Sequence, residues 1–187
     1  MRGRPLGLAA SSVALTLAVG WFLLKTREIA GFTGVAAFPL DDSWIHMHFA
    51  RNLAEGRGFA YNPGVPVSGS TAPLWTLLLG GAFAVFGSQP ALAKVLGLAA
   101  ALTTGWLAGR LAEVWTGSRE LGLLASVLTA LAGPMVWGAL SGMEVPLAAL
   151  LVCASLLLNA RGSPWAAAAA LGLARSEERR VGKECRL

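Results

Sequence analysis

The chain has 187 residues, of which 55% are hydrophobic and 13% charged, with 23 glycines and a formal net charge of +5. Soluble globular domains carry about 25% charged residues, so this composition excludes an ordinary soluble domain and predicts a protein that crosses a bilayer several times. The basic excess is explained by arginines near the ends of apolar segments, so no nucleic-acid partner is expected, and two cysteines, Cys153 and Cys185, are too few for a disulfide framework.

The first apolar segment follows Arg2 and Arg4 and runs over residues 6–24. A secretory h-region is usually about 7–15 residues long, whereas this run is longer and further apolar segments follow it. We therefore predict that residues 1–24 form a retained first transmembrane helix whose start lies in the cytoplasm. A cleaved signal peptide is the alternative.

Residues 25–72 are predicted to form an external loop. Its adjacent acids, Asp41 and Asp42, would be costly at a membrane surface unless they are solvated, paired or used. Three apolar residues then recur at i, i+4 and i+8, as on one face of a helix: Ile45, Phe49 and Leu53. With Asp42 or Ser43 as N-cap and Gly56 as stop, they predict an amphipathic surface helix over about residues 43–55. Trp44 and Trp75 are expected to be interfacial anchors.

Residues 73–175 are predicted to form a membrane domain. It contains apolar runs at residues 74–86, 91–111, 121–140 and 146–160 and a partial one at 165–174. About 20 residues are needed to cross the hydrocarbon core, so residues 74–86 are too short for a comfortable span. We predict an interfacial or re-entrant helix there, which is tolerated where it packs against protein.

The orientation of the later spans depends on that short run. If it does not cross, five arginines share the cytoplasmic side, as the positive-inside rule expects: Arg2, Arg4, Arg110, Arg119 and Arg161. Glu144 then lies on the external side with Asp41 and Asp42. If the run crosses, the later arginines move outside and Glu144 moves inside. We favour the arrangement in which it does not cross.

The last segment, residues 176–187, differs in kind from the rest. It carries seven charges in twelve residues and interrupts an apolar run after roughly half a span. This segment is similar to a vector- or assembly-derived read-through, and we expect the chain to be the N-terminal part of a longer, multi-span protein, inactive alone. A basic cytoplasmic tail is the alternative.

Three motifs in a fixed order now become informative: Asp41-Asp42 followed by HFARNLAEGRGFAYNPG, the segment GSTAPLW at residues 69–75, and SGMEVP at residues 141–146. Together with the first span, this ordered set resembles the GT-C glycosyltransferases, over residues 1 to about 175. These are integral membrane enzymes that use polyprenyl-phosphate sugars. The resemblance is to protein-mannosyltransferase-like and mycobacterial arabinofuranosyltransferase-like members.

The resemblance implies an all-α, polytopic transmembrane fold in the plasma membrane with its active site on the extracytoplasmic face. It also implies that Asp41 is the catalytic base and that Asp42 is a second acid of the site. Glu144 matches an acid of the second external loop, with a role in acceptor positioning or metal support. The implied partners are a polyprenyl-phosphate-linked sugar donor and a polysaccharide, glycolipid or protein acceptor. Family members differ in whether they need a divalent cation, so the metal stays unknown.

The residues themselves leave other roles open. Asp41, Asp42 and Glu144 lie near helix starts, where acids also cap helices and complement the dipole. Arg51 and Lys94 are candidates for the donor phosphate, although Arg51 is also a normal solvated charge and Lys94 could snorkel to lipid phosphates. His46 and His48 point about 200° apart on a helix, so they cannot chelate one metal together, and solvated surface histidines are expected.

Two further functions compete with the enzyme. A non-catalytic membrane protein, such as a transporter, would use the acids only as caps, but transporters more naturally place ionisable residues inside their spans. A lipid-phosphate-binding accessory protein would bind a polyprenyl phosphate without turning it over. We expect the glycosyltransferase.

Overall fold

The computed structural model describes residues 4–30, 38–63, 65 and 70–177, and the secondary structure of this part of the chain is entirely α-helical. The all-α prediction is therefore confirmed. The helices, in chain order, are α1 (Arg4–Ala30), α2 (Asp41–Ala54), α3 (Pro73–Phe86), α4 (Pro90–Thr116), α5 (Arg119–Leu131), α6 (Gly133–Ser141), α7 (Val145–Ala160) and α8 (Pro164–Ser176).

The apolar run predicted as one span over residues 121–140 forms two helices, α5 and α6, bent by 48°. Ala132 leaves the helical conformation at the break, with ψ of 124°. Pro134 lies in the first turn of α6 and has no N–H, so it cannot donate the backbone hydrogen bond that would continue α5. The run predicted as a span therefore has a break that the sequence analysis did not predict.

Within the described residues, α4 is the one helix that is both long and apolar enough to cross a bilayer, and α5 with α6 is a second when the bent pair is taken as one span. Helix α3 has 14 residues, which corresponds to about 21 Å at about 1.5 Å per residue. That length is short of the hydrocarbon core of about 30 Å, in agreement with the prediction of a short helix.

Helix α4 is the centre of the bundle and packs against α1, α5, α6 and α7. Three of its glycines, Gly97, Gly105 and Gly109, repeat at intervals of four or eight and face α5 and α6. A Cβ on Gly97 would lie 2.7 Å from the carbonyl oxygen of Ala139, and one on Gly109 would lie 2.7 Å from that of Gly122. Small residues at this spacing allow helix backbones to approach closely.

The two ends of the bundle carry different segments. Gly7 of α1 lies with Trp106 and Gly109 in a small cavity next to Glu113, close to the turn that joins α4 to α5. At the opposite end, where α4 begins, lie Phe38, helix α2 and the residues between α6 and α7. Helix α3 leads directly into the start of α4, so its C-terminal end also lies there.

The close approach of α4 to α5 gives a testable prediction. Gly109→Ala should lower the free energy of unfolding by about 1–3 kcal/mol, because the added methyl group must push two helix backbones apart. Gly81→Ala in α3 is the matched control, since nothing lies within 4 Å of a Cβ there. Unfolding in detergent followed by circular dichroism measures both. Equal stability of the two variants would contradict the packing described for α4.

Candidate functional site

The turn between α6 and α7 holds two segments that are distant from it in sequence. The hydroxyl of Ser43, in α2, donates a hydrogen bond of 2.5 Å to the carbonyl oxygen of Ser141, 98 residues away. The indole Nε1 of Trp75, in α3, donates one of 3.0 Å to the carbonyl oxygen of Gly142. Both bonds are buried, so the turn fixes the start of α2 and the start of α3 at one place.

Gly142 is suited to this position for two reasons. Its φ of +78° lies in the left-handed region, which other residues rarely adopt. The ring of Phe38 also packs directly against its Cα and occupies the space that a Cβ would need. Phe38 in turn makes an edge-to-face contact with Trp44, with ring centroids 5.2 Å apart. The turn therefore binds the residues just before α2 as well as α2 itself.

His46 and Glu144 meet beneath this turn. The His46 Nε2 atom lies 3.3 Å from Glu144 Oε2, and the two side chains are only 1% and 15% exposed. Neither atom has another hydrogen-bond partner among the described residues. Burial of polar atoms is costly unless they are paired. The contact between His46 and Glu144 therefore offsets part of the cost of burying both side chains.

The other ring nitrogen of His46 joins a chain of hydroxyl groups. His46 Nδ1 lies 3.3 Å from Thr76 Oγ1 in α3, and Thr76 Oγ1 lies 2.9 Å from the hydroxyl of Ser70. The chain Glu144–His46–Thr76–Ser70 therefore connects the turn after α6, helix α2, helix α3 and the residues that precede α3.

Glu144 is held in its charged form. Burial alone would raise the pKa of this carboxyl, but contact with His46 and a hydrogen bond to its own backbone N–H lower it more, so its pKa lies below the ordinary value. A helix cap was the alternative role left open for Glu144: the residue is at the N-cap position of α7, but its side chain makes no capping hydrogen bond.

Asp41 and Asp42 form the first turn of α2 and are exposed. The prediction that Asp42 or Ser43 is the N-cap was wrong. Leu40 holds that position without a side-chain hydrogen bond, and the hydroxyl of Ser43 bonds to Ser141 instead. The two carboxylates therefore complement the helix dipole while they remain accessible to solvent. The predicted stop is confirmed, since α2 ends at Ala54 and Gly56 follows with φ of +73°.

Helix α2 is not a lone surface helix, because it packs along α3. Of the predicted apolar stripe, Phe49 is buried, whereas Ile45 and Leu53 are half-buried. Leu53 lies against Gly80 of α3. Trp75 is buried and therefore does not anchor at a bilayer interface. The buried face of α2 also carries polar residues: Ser43, His46 and Asn52.

Asn52 secures the loop that follows α2. Its amide nitrogen donates hydrogen bonds of 2.8 Å to the carbonyl oxygens of both Ala60 and Tyr61. The N–H of Val65 reaches the carbonyl oxygen of Asn62 at 3.1 Å. Phe49 stacks at a tilt on Phe59, with centroids 5.1 Å apart. The loop is thereby folded back on the helix.

The two histidines have different surroundings. The expectation of a solvated surface residue was wrong for His46, which is buried, since it faces Thr76 and Glu144. His48 is half-buried and borders a cleft of about 220 Å³ that is lined by residues of α2 and the α3–α4 connection: Trp44, Met47, His48, Arg51, Ser88 and Pro90. An Nη2 atom of Arg51 lies 3.2 Å from His48 Nδ1, so Arg51 supplies a cation to this cleft.

The two candidate phosphate ligands are placed apart. Arg51 is exposed and borders the cleft, whereas Lys94 is buried, with its Nζ 5.4 Å from the centre of the Phe38 ring. Among the described residues there is no group of three or more histidine, cysteine, aspartate or glutamate side chains that could hold a metal ion.

Glu177, from the segment predicted to be a foreign tail, contacts α3. Its carboxylate accepts hydrogen bonds of 2.9 Å from the backbone N–H groups of both Leu74 and Trp75. The side chain thus caps the N-terminus of α3, where a negative charge is favourable. Residues 178–187 of that segment, and residues 31–37 of the predicted external loop, lie outside the described residues.

Comparison of the chain with protein-family models, curated protein sequences and solved structures gives no match.

The buried Glu144 carboxylate predicts a specific dependence of stability on pH. Because its pKa in the folded protein is below the ordinary 4.5, charged Glu144 stabilises the fold above about that pH, and this contribution is lost as the pH falls through the lowered value. Glu144→Gln should remove that contribution. Unfolding of both proteins at a series of pH values measures the difference, which should shrink below pH 4.5; a difference that grows there would contradict the account.

Proposed function

We propose that this chain belongs to a polytopic, inverting membrane glycosyltransferase that moves a sugar from a polyprenyl-phosphate donor to an extracytoplasmic hydroxyl acceptor. The observation that carries the proposal is the convergence of three segments: Asp41–Asp42 with α2, residues 70–75, and the turn over residues 141–144. These are the segments in which the sequence resembles the GT-C enzymes. Their contact at one end of the bundle supports a shared site.

The proposed orientation places this end outside the cell. The start of α1 lies beside the α4–α5 turn, so Arg4, Arg110 and Arg119 belong to elements that meet at one end of the bundle, as expected of a cytoplasmic side. Helix α3 begins beside Gly142 and ends where α4 begins. Both of its ends therefore lie near the site, which supports a short helix that does not cross.

In the proposed reaction, Asp41 acts as general base. Its exposed carboxylate takes the proton of the acceptor hydroxyl as that oxygen bonds to the anomeric carbon of the donor sugar. The bond from that carbon to the phosphate oxygen breaks, and its electron pair leaves with the polyprenyl phosphate. This leaving group is a stable anion and needs no general acid. A single displacement of this kind inverts the anomeric centre.

The other charged residues have subsidiary roles in this proposal. Arg51, at the mouth of the cleft beside α2, is available to hold the departing phosphate, for which a cation is needed. Lys94 does not line this cleft and lies with its Nζ over the Phe38 ring. Asp42 supports Asp41 or the helix dipole. Glu144 is committed to His46, so it supports the position of α2 instead of acting as a second base.

Substitution of Asp41 tests the mechanism. In the protein that carries this sequence, Asp41→Asn should lower transfer by about 10²–10⁴-fold, the usual contribution of a general base, while Asp42→Asn should retain most activity. The assay uses membranes that contain the protein, polyprenyl-phosphate-linked mannose or arabinofuranose with a radiolabelled sugar, and an alkyl glycoside acceptor.

Two results of that assay would count against the proposal. Full activity of the Asp41→Asn protein would remove Asp41 as the base. Absence of transfer by the unsubstituted protein from both donors would overturn the proposed function. Equal membrane levels of all variants, measured by immunoblot, are the control for correct insertion.

Cysteine labelling in intact cells tests the orientation. With Cys153 and Cys185 replaced by serine, a membrane-impermeant maleimide should label Ser88→Cys from outside, whereas Glu120→Cys should need permeabilised cells. Both positions are exposed, so access depends on the side of the membrane. The reverse pattern would mean that α3 crosses the bilayer.

A further inference from the structure

One side of α2 carries a stripe of polar and aromatic residues that are not fully buried. Its members are spaced at i, i+3, i+7 and i+10: Asp41, Trp44, His48 and Arg51. At about 100° per residue, this spacing places all four within an arc of about 80°. The last three line the cleft of about 220 Å³ between α2 and the α3–α4 connection. Asp41 therefore continues the wall of that cleft toward the start of α2.

The same geometry distinguishes the two acids. Asp42 lies about 100° round the helix from Asp41, on the side away from Trp44 and toward the buried face of α2. Asp41 alone therefore belongs to the stripe. Arg51 follows Asp41 by ten residues, which is about 15 Å along the helix axis. The proposed base and the proposed phosphate ligand thus lie at opposite ends of one helix face.

The Trp44 ring is held in position and is still accessible. Phe38 contacts it edge to face at a centroid distance of 5.2 Å, and Phe38 is itself buried against Gly142. Trp44 remains 38% exposed, at the wall of the cleft. A large aromatic surface fixed in this way can pack against an apolar face of a ligand. A sugar ring presents such a face through its C–H groups, while its hydroxyl groups point outward from the edge of the ring.

The polar groups at the cleft are hydrogen-bond donors. The guanidinium of Arg51 cannot accept a hydrogen bond, so in its 3.2 Å contact with His48 Nδ1 the ring nitrogen is the acceptor. The proton of the neutral His48 ring is then on Nε2. The ring also packs on Tyr61, with centroids 5.0 Å apart, so it is held from two sides. The cleft therefore offers a ligand one cation and one N–H donor beside an aromatic wall.

We propose that the cleft beside α2 binds the sugar ring of the lipid-linked donor, with the C–H face of the ring on Trp44 and its hydroxyl groups near His48 Nε2–H. The identity of this ligand rests on the proposed function. A volume of about 220 Å³ is below the roughly 300–1,000 Å³ of sites for drug-sized ligands, so the cleft suits one ring and not a chain of sugars. Trp44 is then a specificity-determining residue of the donor site.

This placement agrees with the course of an inverting displacement. The acceptor oxygen must approach the anomeric carbon from the side opposite the departing phosphate oxygen. A ring on Trp44 has Asp41 toward one end of the stripe, beside the attacking hydroxyl, and Arg51 toward the other end, beside the phosphate. An isoprenoid chain in the same cleft would instead cover the Arg51 cation without a group of opposite charge, which is costly.

Equilibrium binding of radiolabelled lipids tests the site, with the protein that carries this sequence in nanodiscs and empty nanodiscs as the blank. The probes are polyprenyl-phosphate-linked mannose, polyprenyl-phosphate-linked arabinofuranose and polyprenyl phosphate without a sugar. Trp44→Ala should raise the Kd of the tighter sugar-bearing probe about tenfold, which corresponds to about 1.4 kcal/mol, and leave that of the sugar-free probe unchanged. Arg51→Gln should raise the Kd of all three probes, because all three carry the phosphate.

Two variants are the controls for this measurement. Trp44→Phe keeps an aromatic face and should retain most of the preference for the sugar-bearing probe. Trp165→Ala, at a position on α8 that is 88% exposed, is the matched control and should leave every Kd unchanged.

Three results would overturn the inference. The first is an equal loss of affinity for sugar-bearing and sugar-free probes in Trp44→Ala, which would make Trp44 a contact of the lipid or the bilayer. The second is a Kd of the sugar-bearing probe that Trp44→Ala does not change. The third is an unsubstituted protein that binds the sugar-bearing probes no more tightly than polyprenyl phosphate.

Binding requires no turnover, so this inference and the proposed function can fail separately. A Trp44-dependent preference for the sugar-bearing probe without transfer would count against the proposed function and leave this inference standing. Transfer by the unsubstituted protein, with a donor Kd that Trp44→Ala does not change, would leave the proposed function standing and count against this inference.

Discussion

The carbonyl oxygens of Ser141 and Gly142 are the feature on which the rest of the site depends. Each accepts a buried hydrogen bond from a segment far away in the chain, one from Ser43 and one from Trp75. The net gain from such a bond is only about 1 kcal/mol, but an unpaired buried partner costs more. The two bonds therefore define a single docking position for α2 and α3, which a one-residue slip of either helix would destroy.

The position of those carbonyls is itself set by the packing of α4. The absence of side chains at Gly97, Gly105 and Gly109 lets α5 and α6 come close to α4, and the bend at Ala132 directs α6 toward the end where α4 begins. Gly142 then reverses the chain with a positive φ. Steric constraints in the bundle thus lead to the turn, and the turn leads to the arrangement of the polar residues.

Periodicity and length were enough to predict most of the helices, including the short α3 and the stop of α2 at Gly56, but not the break between α5 and α6. The positive-inside rule, applied with a run at residues 74–86 that does not cross, was enough to suggest that Asp41–Asp42 and Glu144 share one side. The burial of His46 could not be predicted, because its partners Thr76 and Glu144 come from helices that no local pattern relates to α2. The same reason applies to Ser43, which was predicted from the sequence as a candidate N-cap but bonds to Ser141.

The central claim is that α2 is held on the bundle by a buried contact between residues distant in the chain. A double-mutant cycle on the free energy of unfolding in detergent, with His46→Ala, Glu144→Ala and the double variant, tests it most directly. The account predicts a favourable coupling of about 1.5–3 kcal/mol, as for a hydrogen bond to a charged group. Strictly additive effects of the two substitutions would contradict it.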